Sequence, residues 1–118
     1  MQRDIIFYET DFGDKPVEEF LASLEPAARA KVVRTLELVR NLPVVPSKFW
    51  QKMSGAQNIW EVRTEYGGNI YRVLATTAKG NRVILLHGFQ KKSKKTPRQN
   101  MEIAQQRQKR YFERHGYL

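Results

Sequence analysis

Two arginines, Arg63 and Arg72, lie in consecutive strand-like runs, and five cations, Lys91, Lys92, Lys94, Lys95 and Arg98, fall within the nine residues from Gln90 to Arg98. Alternate residues of a strand share a face, so Arg63 falls with Ile59, Glu61 and Glu65, opposite Trp60, Val62 and Thr64. In the next run Arg72 falls with Ile70 and Leu74, opposite Tyr71, Val73 and Ala75. The simplest registry puts Trp60, Val62, Tyr71 and Val73 under helices and Arg63 with Arg72 on an open face. A guanidinium binds phosphate through a planar fork and stays protonated, so such a face suits a phosphate. The competing reading is structural, a cross-strand ion pair of Glu61 or Glu65 with an arginine.

The lysine segment reads as a phosphate-binding loop or as a solvated charged loop. Its position favours the first, because the run Val83 to Leu86 delivers it to the end of the sheet that displays Arg72. His87 has the pKa of a general acid or base, yet a lone histidine in an apolar strand is also read as a packed, hydrogen-bonded residue. His115 lies near the terminus and is a lesser candidate. There is no Gly-rich phosphate loop, no paired Asp/Glu cluster for two-metal phosphoryl chemistry, no HExxH and no cysteine nucleophile. Phosphodiester chemistry here would be metal-free, and no cofactor is expected.

The charge balance points the same way. Twenty-one Lys and Arg against twelve Asp and Glu give +9, with a pI near 10.0. Nine basic and two acidic residues lie from His87 to Leu118, so the excess sits at one end. An acidic partner is implied, whether nucleic acid, acidic protein or membrane surface. The absence of cysteine fits a reducing compartment. The first residues, MQRDIIFYETDFGDK, contain no apolar signal core, and the apolar runs are too short to span a bilayer. A cytoplasmic protein without membrane contact is expected.

The length suits one domain over residues 1–118. Ile5 to Glu9 reads as a strand, Pro16 to about Ser23 as a short helix, and the stretch from Pro26 to Pro43 as a longer helix with Ala28, Val32, Leu36, Val39 and Leu42 at helical spacing. Residues 43–58 read as a long connection anchored by Phe49 and Trp50. Three strands follow, Ile59 to Tyr66, Asn69 to Thr77 and Arg82 to Phe89. Beyond Thr96-Pro97 a helix carries Met101, Ala104, Gln108 and Tyr111 along one stripe. This order predicts an α+β fold, a small antiparallel sheet with an N-terminal helical hairpin on one face. The other face is left free as a shallow cleft flanked by the basic loop and a C-terminal helix.

Three segments together carry a resemblance: Asn58-Ile-Trp-Glu-Val-Arg63, Tyr71-Arg72-Val73-Leu74, and Ile84-Leu-Leu-His-Gly-Phe-Gln-Lys-Lys-Ser-Lys-Lys-Thr-Pro97, with Glu102 and Ala104 beyond. This set resembles the phage-derived HigB-like branch of the RelE/ParE toxin superfamily, most firmly from Lys52 to Tyr111. The resemblance implies a RelE-like microbial RNase fold and a type II toxin that cleaves mRNA, commonly on the translating ribosome. It also implies silencing by a cognate antitoxin, a HigA-like helix-turn-helix protein, with the toxin a monomer within a hetero-oligomer. By position Arg63 and Arg72 match the family's strand-borne cations, and Lys91 or Lys92 matches the one after the sheet. Lys94, Lys95, Arg98 and His87 would contact RNA. Glu61 stands where some relatives carry a lysine, and no tyrosine follows the lysine segment at the family's short spacing.

On this reading the 2′-hydroxyl of RNA attacks the adjacent phosphate, leaving a cyclic phosphate, while Arg63 and Arg72 stabilise the phosphorane. A lysine of the segment, its pKa lowered by like-charged neighbours, would exchange protons. Arg72→Ala should then abolish cleavage and leave the fold intact. Two alternatives remain, a ParE-like gyrase-inhibiting toxin and a non-catalytic RNA-binding module.

Overall fold

The computed structural model describes residues 2–91 and 96–116. Its elements are β1 (Asp4–Phe7), α1 (Pro16–Ser23), α2 (Pro26–Asn41), β2 (Trp50–Lys52), β3 (Trp60–Tyr66), β4 (Asn69–Ala78), β5 (Arg82–Lys91) and α3 (Arg98–His115). The strands form one sheet in the order β1-β5-β4-β3-β2. The fold is α+β, as expected, but the sheet is mixed: β1 pairs parallel with β5, and the remaining pairs are antiparallel. Period-two alternation marks a strand without naming its neighbour, so the parallel pairing was not visible in the sequence. The edge strand β2 lies within the stretch expected to be a connection. Its three residues are too few for an alternation to show.

Both helices of the N-terminal pair start on proline, whose fixed φ and missing N–H suit the first turn. Their last carbonyls are met by arginine. Arg29 donates from Nε to Leu21 O at 2.9 Å and from Nη2 to Leu24 O at 3.0 Å, closing α1. Arg3 donates from Nη1 to Val39 O at 2.8 Å and Leu42 O at 2.7 Å, closing α2. Two of the chain's cations are thus structural.

The first face of the sheet packs Trp50, Val62, Tyr71, Val73, Val83 and Leu85 against Val17, Leu21, Val32, Leu36 and Val39 of α1 and α2. Trp50 stacks on Trp60 with ring centres 4.7 Å apart, which seals the β2 edge. On this face α1 approaches β5 closely at Gly88, where an added Cβ would lie 2.4 Å from Cδ2 of Phe20. Gly88→Ala is expected to cost about 1–3 kcal/mol through overpacking. A thermal melt should show that loss, and Phe20→Leu in the same chain should recover part of it.

The second face, expected to be free, is covered in part by α3. Ile59, Leu74, Ile84 and Leu86 pack there with Tyr8 against Ala104, Tyr111 and Phe112. The reason is visible in β5: Val83 to Leu86 is buried on both sides, which a central strand needs only when both faces are covered. A β-bulge helps. Leu74 pairs with His87 while Ala75 pairs with Leu85, so Leu86 is the extra residue of β5 and the alternation shifts by one. Leu86 and His87 therefore both serve the α3 face, and Gly88 returns to the first.

Candidate nucleic-acid interface

Three cross-strand rows build the second face beyond the α3 contact: Glu61 with Leu74 and His87, Arg63 with Arg72 and Phe89, and Glu65 with Ile70 and Lys91. Arg63 and Arg72 are direct cross-strand partners, so the shared face read from alternation is present. Like charges directly opposite repel, and Glu61 offsets this from the next row. Its Oε2 lies 3.5 Å from Nη1 of Arg72. Thr96, just before α3, completes a triangle: Arg72 Nη1 donates to Thr96 Oγ1 at 3.1 Å, and Thr96 Oγ1 donates to Glu61 Oε2 at 3.4 Å.

The two arginines differ sharply in access. Arg72 is 0% exposed and Glu61 only 4%. Burial lowers the Arg72 pKa, Glu61 raises it, and Arg63 lowers it. Arg63 instead lines an open cleft of about 440 Å³ with Gln51, Lys52, Met53, Ser54, Glu61, Thr96 and Met101. Its Nε is buried and makes no hydrogen bond among the described residues. The Nε of Arg114, outside this cleft, is buried in the same way. The expected convergence of both guanidinium groups on one opening is therefore not found: Arg63 lines the cleft, whereas Arg72 is enclosed behind Glu61 and Thr96.

A family model described as phage derived protein Gp49-like (DUF891) matches residues 19–109, from within α1 to within α3, including four of the five strands. The chain belongs to this Gp49-like family. No curated protein matches it.

In this Gp49-like chain the remaining candidates are spread more widely. Lys91 ends β5, exposed, on the face of Arg72. Lys92, Lys94 and Lys95 lie outside the described residues. Arg98 opens α3 and pairs at 3.0 Å with Glu102 one turn on, on the helix surface. Lys52, Thr96 and Met101 were not anticipated as cleft residues. Lys52 belongs to the unrecognised edge strand. Thr96 reads in sequence as the cap of the helix, yet Pro97 holds that position and the Thr96 hydroxyl turns to Glu61.

His87 is held on both ring nitrogens. Nε2 is 2.6 Å from Asn100 Oδ1, and Nδ1 faces Arg107 Nη1 at 3.4 Å. Arginine only donates, so Nδ1 accepts and Nε2–H donates to Asn100, a tautomer assigned from the network. The ring also stacks on Phe89. Burial holds the His87 pKa below its ordinary 6.5, the Asn100 bond opposes that shift, and Arg107 adds to it. Between the folded value and 6.5 the unfolded chain binds more protons, so stability should fall as pH drops through that window. His87→Gln should flatten this fall. Urea midpoints across mildly acidic pH check it, and identical slopes for the two proteins would refute it.

Proposed function

We propose that the chain is the toxin of a type II toxin–antitoxin pair, a RelE- and HigB-like endoribonuclease that cuts mRNA in the cytoplasm, on the translating ribosome. Membership of a phage-derived Gp49-like family fits a toxin of this kind in general. The observation that carries the nuclease reading is Arg63: a guanidinium on the wall of an open cleft, beside a carboxylate and a lysine.

The chemistry follows from that arrangement. RNA carries its own nucleophile, so no metal is needed to generate one. A phosphate in the cleft takes the Arg63 donors, and Lys52 adds charge from the edge strand. Glu61 is the group on the cleft wall able to accept the 2′-hydroxyl proton, since the other charged groups there are cations. The 2′-oxygen then bonds to phosphorus and the bond to the 5′-oxygen breaks. That oxygen takes a proton from a lysine, Lys52 or Lys91, leaving a cyclic phosphate and a 5′-hydroxyl. The phosphorane gathers negative charge as it forms, and fixed guanidinium donors stabilise it most at that moment.

The partner proposed is an antitoxin with an acidic segment to cover the basic cleft and a helix-turn-helix part. Induction of the chain alone should arrest growth and create discrete new 5′ ends on messages, read by primer extension. Co-expression of the small open reading frame beside it should restore growth. Growth arrest without new 5′ ends would remove the nuclease reading. A non-catalytic RNA-binding module is the second reading, favoured by the burial of Arg72 behind Glu61, and RNA binding by the purified chain without new 5′ ends would select it.

A further inference from the structure

A second cleft, about 500 Å³, lies apart from the one that Arg63 lines. It is bounded by Gln57, Asn58, Lys79, Gln108, Lys109 and Phe112. We propose that it is a nucleotide subsite for single-stranded RNA, taking a base against the Gln57 carboxamide and Gln108 Oε1 and the adjoining phosphate on Lys79 and Lys109. This rests on the RNA-directed reading above and adds to it a place where base identity is sensed.

Position comes first. The segment 53–58 is a shared wall: Met53 and Ser54 border the Arg63 cleft, while Gln57 and Asn58 border this one. On α3, Met101 lines the former and Gln108 the latter, seven residues apart. Two turns of helix separate residues of one face by about 10 Å. Both clefts therefore open along one flank of α3, within reach of neighbouring nucleotides of one strand.

Chemistry comes second. A carboxamide offers a donor and an acceptor in one plane, the pattern a base edge presents in return. The wall that carries these groups is locked. Asn58 adopts φ 53° and is held by Nδ2 donating to Thr77 O at 2.8 Å and Oδ1 accepting from Thr77 Oγ1 at 2.7 Å. Gln108 Nε2 donates to Gln57 O, Asn58 O and Thr76 Oγ1. Those bonds use the Gln108 amide nitrogen, and its Oε1 and the Gln57 side chain make none among the described residues. Ala78 and Phe112 supply the apolar wall on which a base can rest, and exposed Lys79 and Lys109 supply charge. An acidic peptide could use the lysines and the carboxamide but brings no planar ring to the Ala78 and Phe112 surface, so RNA fits the set better.

The test is fluorescence anisotropy of labelled A, C, G and U hexanucleotides with the full chain over a range of salt, for wild type, Lys79→Gln/Lys109→Gln and Gln57→Ala. Each phosphate contact on a single strand contributes about 0.7 to the slope of log affinity against log salt, so the double variant should lose about 1.4. Gln57→Ala should narrow the spread of affinity among the four homopolymers. Unchanged slope and spread, or no binding of any hexanucleotide by wild type, would overturn the subsite. So would loss of antitoxin binding in the double variant with RNA binding intact, which would give the cleft to a protein. Primer extension separates the two claims. New 5′ ends with an unshifted slope would leave the nuclease and remove the subsite, and a shifted slope without new ends would do the reverse.

Discussion

Arg72→Ala is expected to lose about 3–5 kcal/mol of stability, because it leaves the 4% exposed carboxylate of Glu61 without its counter-charge. For a domain whose total stability is about 5–15 kcal/mol, that is enough to compromise the fold. The variant that sequence alone recommends as a clean knockout of chemistry is therefore a structural lesion. Removing both charges avoids it. Arg72→Met with Glu61→Leu replaces a buried pair by apolar groups of similar reach, a change that is often neutral or stabilising. Urea denaturation of wild type, the alanine variant and the double variant checks this. A wild-type midpoint for Arg72→Ala would show that the pair is solvated. If the double variant is stable and still arrests growth, Arg72 and Glu61 only brace the sheet. If it is stable and inert, the pair takes part in the cleft's chemistry.

The shared face of Arg63 and Arg72 was legible because β3 and β4 alternate cleanly and a two-glycine turn leaves little freedom of register. The same alternation placed Trp60, Val62, Tyr71 and Val73 beneath the helices, where they are. What alternation could not carry was depth. A strand arginine reads the same whether it faces solvent or a carboxylate, and alternation says nothing of the Thr96 and Glu61 groups that meet Arg72. The bulge hid a second fact. Strict alternation from Ile84 would send His87 to the α1 side, and one extra residue, Leu86, turns it toward Asn100 and Arg107 instead. The cover on the second face was partly written in the doubly buried run of β5, yet a short apolar run alone does not separate one covered face from two. Lys52 was missed for want of length, since a three-residue edge strand has no period to detect.

Arg63→Ala should be the opposite of Arg72→Ala, leaving the fold and removing the activity. Its Nε is buried without a partner among the described residues, so truncation removes an unsatisfied donor rather than stranding one. The thermal midpoint should stay close to wild type, as for substitutions that break no named interaction. Cleavage should fall by about 10²–10³-fold, the usual cost of one preorganised donor to a developing oxyanion. Arg63→Lys keeps the charge but not the fork, and should recover binding more than rate, because a point charge cannot follow two phosphoryl oxygens as they move apart. Single-turnover cleavage on programmed ribosomes separates these effects, with substrate affinity read from the concentration dependence. A lysine variant that cuts at the wild-type rate would mean that Arg63 only attracts the message. An alanine variant that does so would remove the phosphate from this cleft.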